Sequence, residues 1–170
     1  MIGGPPPGFS AIKALTELVQ FVGYFLAVGA VGFRFGVVRR TPGISDEAKR
    51  ILRADNAALL GILGTLLIGT GLLGGPFIDA VAHDKTFAEA LPKNLRPFEF
   101  KLAMLTIALA GFALARAVSS IGWALAAVGV LVAVLQPLYT GKFTGKVNAV
   151  HVLAASTVAT SVLVTLPSPK

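Results

Sequence analysis

Long apolar stretches constrain this chain more than any other feature. Runs of roughly 18 or more residues with almost no charge alternate with short polar segments, and a bilayer core needs about 20 apolar residues per helix. A soluble helix interrupts its apolar face with polar residues on every turn, and here the polar residues are gathered between the runs. Composition agrees: of 170 residues, 55% are hydrophobic and only 14% charged, with a mean hydropathy of +0.79. A soluble domain carries about 25% charged residues. The expected fold is all-α, an integral membrane bundle of about five transmembrane helices forming one domain over residues 1–170, with spans at about 10–38, 57–77, 98–115, 121–138 and 147–166.

Proline and glycine punctuate these runs. The first ends at Arg39-Arg40-Thr41-Pro42-Gly43, and Ser45-Asp46-Glu47 reads as the start of a short interfacial helix, with a capping serine and acids in its first turn. The longest polar segment, 78–97, contains His83-Asp84-Lys85 and closes with Pro92 and Pro97. Only Arg116 to Ser120 separate the third span from the fourth, so those two form a tight helical hairpin. Pro167-Ser168-Pro169 ends the last span. The opening Met1-Ile2-Gly3-Gly4-Pro5-Pro6-Pro7-Gly8 has neither a basic n-region nor an Ala-x-Ala site, and reads as a lead-in to the first span.

The net charge of +7 would point to nucleic acid in a soluble protein. The basic residues here sit between spans, where topology and anionic headgroups account for them, and no basic face with interleaved aromatics forms a groove. One side of a five-span chain holds Arg34, Arg39, Arg40, Lys49, Arg50, Arg53, Arg116 and Lys170, against seven basic residues on the other. Five of the eight fall in the first loop, while Asp79, Asp84, Glu89 and Glu99 offset the opposite side. The expected setting is a cell inner membrane, crossed several times, with the N-terminus outside and the C-terminus cytoplasmic.

Small residues supply the means of association. Gly61, Thr65 and Gly69, Gly71 with Gly75, and Gly32 with Gly36 form small-xxx-small series, and the last span adds Ala154, Ala155, Ser156, Thr157, Thr160 and Ser161. Such faces let backbones approach inside lipid, within the bundle, in self-association or against other membrane subunits.

Few residues offer chemistry. There are no cysteines and two methionines, Met1 and Met104, which excludes disulfides, thiolate metal sites and a Met-rich copper relay. No nucleophile triad, phosphate-cradling glycine loop or zinc-protease spacing occurs, so a hydrolytic site is not expected. Lys13, Glu17, Gln20 and Tyr24 share one helical face, expected to look into the bundle or a wet cavity. Arg34 and Asp55 fall at similar depth, where they pair or Arg34 snorkels. His83 follows the second span and His151 lies one turn into the last, which puts both at the extracytoplasmic side of a five-span chain. With Asp79 and Glu17 they make a candidate metal set for Cu(II) or Zn(II). Two facing histidines can instead ligate a b-type haem, and loop or interface histidines are the third reading.

The segment Val147-Asn148-Ala149-Val150-His151-Val152-Leu153-Ala154-Ala155-Ser156 resembles the His-hydrophobic-Leu-Ala-Ala helix of the copper resistance protein D (CopD) family of bacterial membrane proteins. Arg53-Ala54-Asp55 before a span ending Gly69-Thr70-Gly71-Leu72 is similar to that family's middle helix, and Phe98-Glu99-Phe100-Lys101-Leu102 to its next one. Where the family carries Trp-x-Gly after the histidine, this chain has Thr157-Val158-Ala159-Thr160. The resemblance covers about the last two thirds of the chain. It implies a helical bundle associated with copper uptake across the inner membrane, with His151 as the matching residue. A non-catalytic accessory subunit of a larger membrane complex is the competing reading.

Overall fold

The structure, a computed structural model, describes residues 11–38, 54–116 and 119–139. Among them there are helices and no strands. Helix α1, Ala11–Gly32, runs into a π-helical stretch, Phe33–Val38. It is followed by α2, Ala54–Ala82; α3, a single turn at Phe87–Ala90; α4, Arg96–Ala115; and α5, Ser119–Tyr139. Three stretches, Ala11–Gly36, Asn56–Ala82 and Arg96–Ala115, are long and apolar enough to cross a membrane, and Ser120–Gln136 is a shorter apolar helix. The expected fifth span, 147–166, and the expected interfacial helix at Ser45 lie outside the described residues.

Helices α1 and α2 form one antiparallel pair, α4 and α5 a second, and α2 joins the pairs by packing on α4, with lighter contact between α1 and α5. The upper end of the bundle therefore collects the start of α1, the end of α2, α3, the start of α4 and the end of α5.

Size sorting is inverted relative to a soluble core. The buried positions are mostly small, with Ala27, Ala58, Ala108, Ala126 and Ala133 at 1% exposure or less. Large apolar residues such as Leu15, Leu18, Phe77, Val81, Ile121 and Val128 are exposed. Water would penalise that surface heavily, whereas lipid tails accept it. With no hydrophobic drive between helices in lipid, close packing must hold the bundle together, and small residues permit it. A Cβ on Gly23 would stand 2.6 Å from the Gly64 carbonyl oxygen and 2.7 Å from the Ile68 nitrogen. One on Gly129 would stand 2.6 Å from the Ala108 nitrogen and 2.7 Å from the Met104 oxygen. Backbone cannot yield as a side chain can, so these positions are closed to any side chain. Gly61 receives the ring of Phe112, which in turn meets Trp123 edge to face at 5.7 Å and 89°.

Two expectations change. The α1 seam on α2 uses Gly64 and Gly71, with Ile68 between them, whereas a Cβ at Gly69, Gly75 or Gly36 would meet no described atom within 4 Å. Gly61, Thr65 and Gly69 thus do not act as one interface; Thr65 is buried and returns its hydroxyl to the Gly61 carbonyl at 2.8 Å. Second, α2 continues to Ala82 through Pro76, where a polar loop from Ile78 was expected. A proline in a membrane helix frees one carbonyl and bends the axis without ending it. The helix stops six residues later in a Schellman-type turn. There Asp84 adopts a left-handed φ of 52°, and the Lys85 N–H donates to the Ala80 carbonyl at 2.9 Å.

Replacing Gly122, whose Cβ would fall on the Ala115 backbone, by leucine is expected to cost about 1–3 kcal/mol through overpacking. Gly69→Ala, with space around it, is expected to raise stability by about 0.5–1 kcal/mol. Thermal unfolding of both variants in mild detergent checks the pair, and equal shifts would contradict the seam.

Candidate functional site at the upper end of the bundle

The end of α2 builds a small polar cluster. Asp79 and His83 are four residues apart, one helical turn, and the His83 Nδ1 lies 3.0 Å from both the Asp79 Oδ1 and the Asp79 carbonyl oxygen. Both oxygens can only accept, so Nδ1 carries the proton and Nε2 is left as the lone-pair nitrogen of the neutral ring. The Lys85 ammonium approaches the other carboxylate oxygen at 3.7 Å. Asp79 is thus shared between two basic side chains just where the dipole of α2 presents its negative end. The His83 side chain is 60% exposed.

The remaining predicted residues stand apart. Glu17 is exposed on α1, and no group of three His, Asp or Glu side chains suited to a metal ion forms among the described residues. Lys13 and Glu17 point outward while Gln20 and Tyr24, deeper on the same stripe, are half-buried, with the Gln20 side chain packed on Gly71. The stripe therefore enters the bundle only in its lower half. His151 lies outside the described residues, as does the Asp55 side chain; Arg34 sits half-buried in the π-helical stretch. A haem between helices requires a helical histidine directed inward, and His83 instead occupies the exposed turn after α2.

Beyond this turn, Thr86 and Glu89 close a capping box on α3. The Thr86 N–H and hydroxyl each donate to the Glu89 Oε2 at 2.8 Å, and the Glu89 N–H donates to the Thr86 Oγ1 at 3.4 Å. The backbone and side-chain hydrogen bonds from Thr86 hold the Glu89 carboxyl below its usual range. Pro97 in the first turn sets the start of α4, and the Gln136 Nε2 of α5 donates to the Pro97 carbonyl at 2.6 Å, tying the two helices together at this end.

Sequence reading missed two features. The Lys101 ammonium stands 5.2 Å from the centre of the Tyr24 ring, a contact between residues far apart in the chain. The Trp123 indole N–H is buried with no acceptor among the described residues. The isolated lysine inside an apolar run and the single tryptophan were the available signals.

Compared with known protein families, characterised proteins and solved structures, the chain matches none. The assignment of chemistry therefore rests on the cluster itself.

The lowered pKa of Glu89 has a direct consequence. The stabilisation by its bonds to Thr86 is present above the unfolded pKa and is lost as pH falls through the lower folded value. Amide exchange at Glu89 and Ala90 should accelerate as pH drops below 4.5, beyond the intrinsic pH dependence of exchange. Glu89→Gln should remove that excess.

Proposed function

We propose that the chain is a multi-pass protein of a bacterial inner membrane, similar to the CopD family, that binds a copper-type divalent ion at the extracytoplasmic end of its bundle. The observation that supports this is the geometry of His83. A carboxylate that takes the Nδ1–H of a histidine fixes the ring and raises the basicity of Nε2, an arrangement metal-binding histidines commonly share. Asp79 supplies that carboxylate, and Nε2 belongs to an exposed side chain at the bundle end. In this reading Asp79 positions His83 and is not itself a ligand. His151 is the second nitrogen donor, since five crossings return the last span to the same side. Water or carboxylate oxygens complete a set suited to Cu(II) or Zn(II).

The orientation follows from the basic first loop. Arg39, Arg40, Lys49, Arg50 and Arg53 belong on the cytoplasmic side, which puts the end of α2 outside. A second reading, an accessory subunit docked on a larger membrane complex, is favoured by glycines that the described bundle does not use. Gly29 lies in α1 and Gly36 in the π-helical stretch, and a Cβ at either would meet no described atom within 4 Å outside its own helix.

Calorimetric titration of the purified full chain in mild detergent with Cu(II), and separately Zn(II), tests the metal reading. Saturable binding of one ion per chain is expected. His83→Ala and His151→Ala should each abolish it, and Asp79→Asn should weaken it about 10–100-fold. Wild-type protein that takes up no ion at micromolar metal would refute the proposal. Recovery of the chain only with other membrane proteins, and without metal, would favour the docked subunit.

A further inference from the structure

The polar groups inside the upper half of the bundle are separate from His83 and Asp79. Lys101 is half-buried, five residues past the start of α4, about 7 Å along the helix axis. Its ammonium crosses from α4 to the face of Tyr24 on α1, at 5.2 Å from the ring centre. These two helices have little other contact, since α1 packs chiefly on α2 and α4 chiefly on α5. The side chain thus reaches across the bundle in preference to extending along α4 into the headgroups.

A ring face attracts a cation without supplying an oxygen acceptor. The ammonium has three N–H donors, and among the described residues no carboxylate pairs with it. Asp79 is shared by His83 and Lys85, and Glu89 is closed on Thr86. Glu99 is two residues from Lys101 on the same helix and so faces a different direction. A cation at this depth is stable only with an anion or water at its open side. Lys93, Arg96 and Glu99 are exposed around the start of α4, so the rim of this end carries both signs of charge. Phosphate is the anion that a membrane presents in quantity at this level.

We propose that Lys101, held over Tyr24, binds a phosphate group at the upper end of the bundle, brought either by the headgroup of an anionic phospholipid or as free phosphate. Native mass spectrometry of the full chain, released from nanodiscs of mixed phosphatidylglycerol and phosphatidylcholine, reads the retained lipid. Wild-type protein is expected to keep phosphatidylglycerol in preference. Lys101→Met should reduce that preference about fivefold, and Lys101→Arg, which retains the charge, should restore it. Inorganic phosphate at millimolar concentration that displaces the retained lipid assigns the site to free phosphate. Failure to displace it assigns the site to the headgroup. Equal retention by wild type and Lys101→Met overturns the proposal. If Lys101→Met loses helicity by circular dichroism, Tyr24→Leu decides instead. It keeps the cation but removes the ring that holds it, and unchanged retention in that variant overturns the proposal equally.

Discussion

Close approach of helix backbones is the constraint on which the rest of this structure depends. Inside lipid an apolar side chain gains nothing by leaving its neighbours for another helix, so association must come from contact density and from polar groups that need partners. Gly23 against Gly64 and Gly129 against Ala108 bring main chains so near that not even a Cβ fits between them. The same demand explains why the interior is built of alanine while leucine and phenylalanine face outward. Ile68, Leu105, Phe112 and Trp123 are the larger residues buried among them, and the two aromatic ones have a visible reason. Gly61 opens the space that the Phe112 ring fills, and Trp123 completes an edge-to-face pair with it.

Tight seams also decide where polar side chains can go. The close approaches between α4 and α5, and between α1 and α2, leave little room for them: Thr65 returns its hydroxyl to its own helix and Gln20 lies along Gly71, while the other polar contacts collect near helix ends. The upper end shows this. Asp79, His83 and Lys85 gather at the C-terminus of α2, where a positive group meets the helix dipole and unbonded carbonyls. Thr86 and Glu89 satisfy the first turn of α3. Gln136 reaches the Pro97 carbonyl beside a helix start, and Lys101 lies over Tyr24 where the two helix pairs come apart. Among the described residues these polar contacts gather at one end, where helix termini leave room for them.

How much of this was legible in the sequence follows from the range of each interaction. The four long apolar helices were readable because apolar length is a property of the chain itself; three of them are long enough to cross a membrane, and their limits move by about five residues at most. The pairing of Asp79 with His83 was readable because four residues make one helical turn. The extension of α2 past Phe77 was missed because the residues from Ile78 onward, with Asp79 among them, were read as a polar loop. Asp79 is tolerated there because its carboxylate engages His83 and Lys85 at the helix end. The glycine seams were legible as composition but not as pairings. Periodicity says which residues share a face, not which helix that face meets, and so the α1 seam combines Gly64 with Gly71, where Gly61 with Gly69 and Gly71 with Gly75 were the expected series. The Lys101 contact with Tyr24 spans most of α1 and α2 in sequence, and no local rule anticipates it.

The two polar features of the upper end differ in what they leave open, and that difference separates their chemistry. At His83 the proton position is fixed by two acceptors, and the unfilled valence is a lone pair, which calls for a cation. At Lys101 the unfilled valences are N–H donors on a positive charge, which call for an anion. One site is exposed in a turn and the other is enclosed among helices, so neither can substitute for the other. Their charges are also kept apart, because Asp79 is already engaged by His83 and Lys85 and does not reach Lys101 as a counter-ion. An arrangement serving only to neutralise buried charge would have brought a carboxylate to Lys101, and α1 carries one in Glu17, only seven residues before Tyr24. Glu17 faces outward instead, and the cation remains available to a partner from outside the described chain.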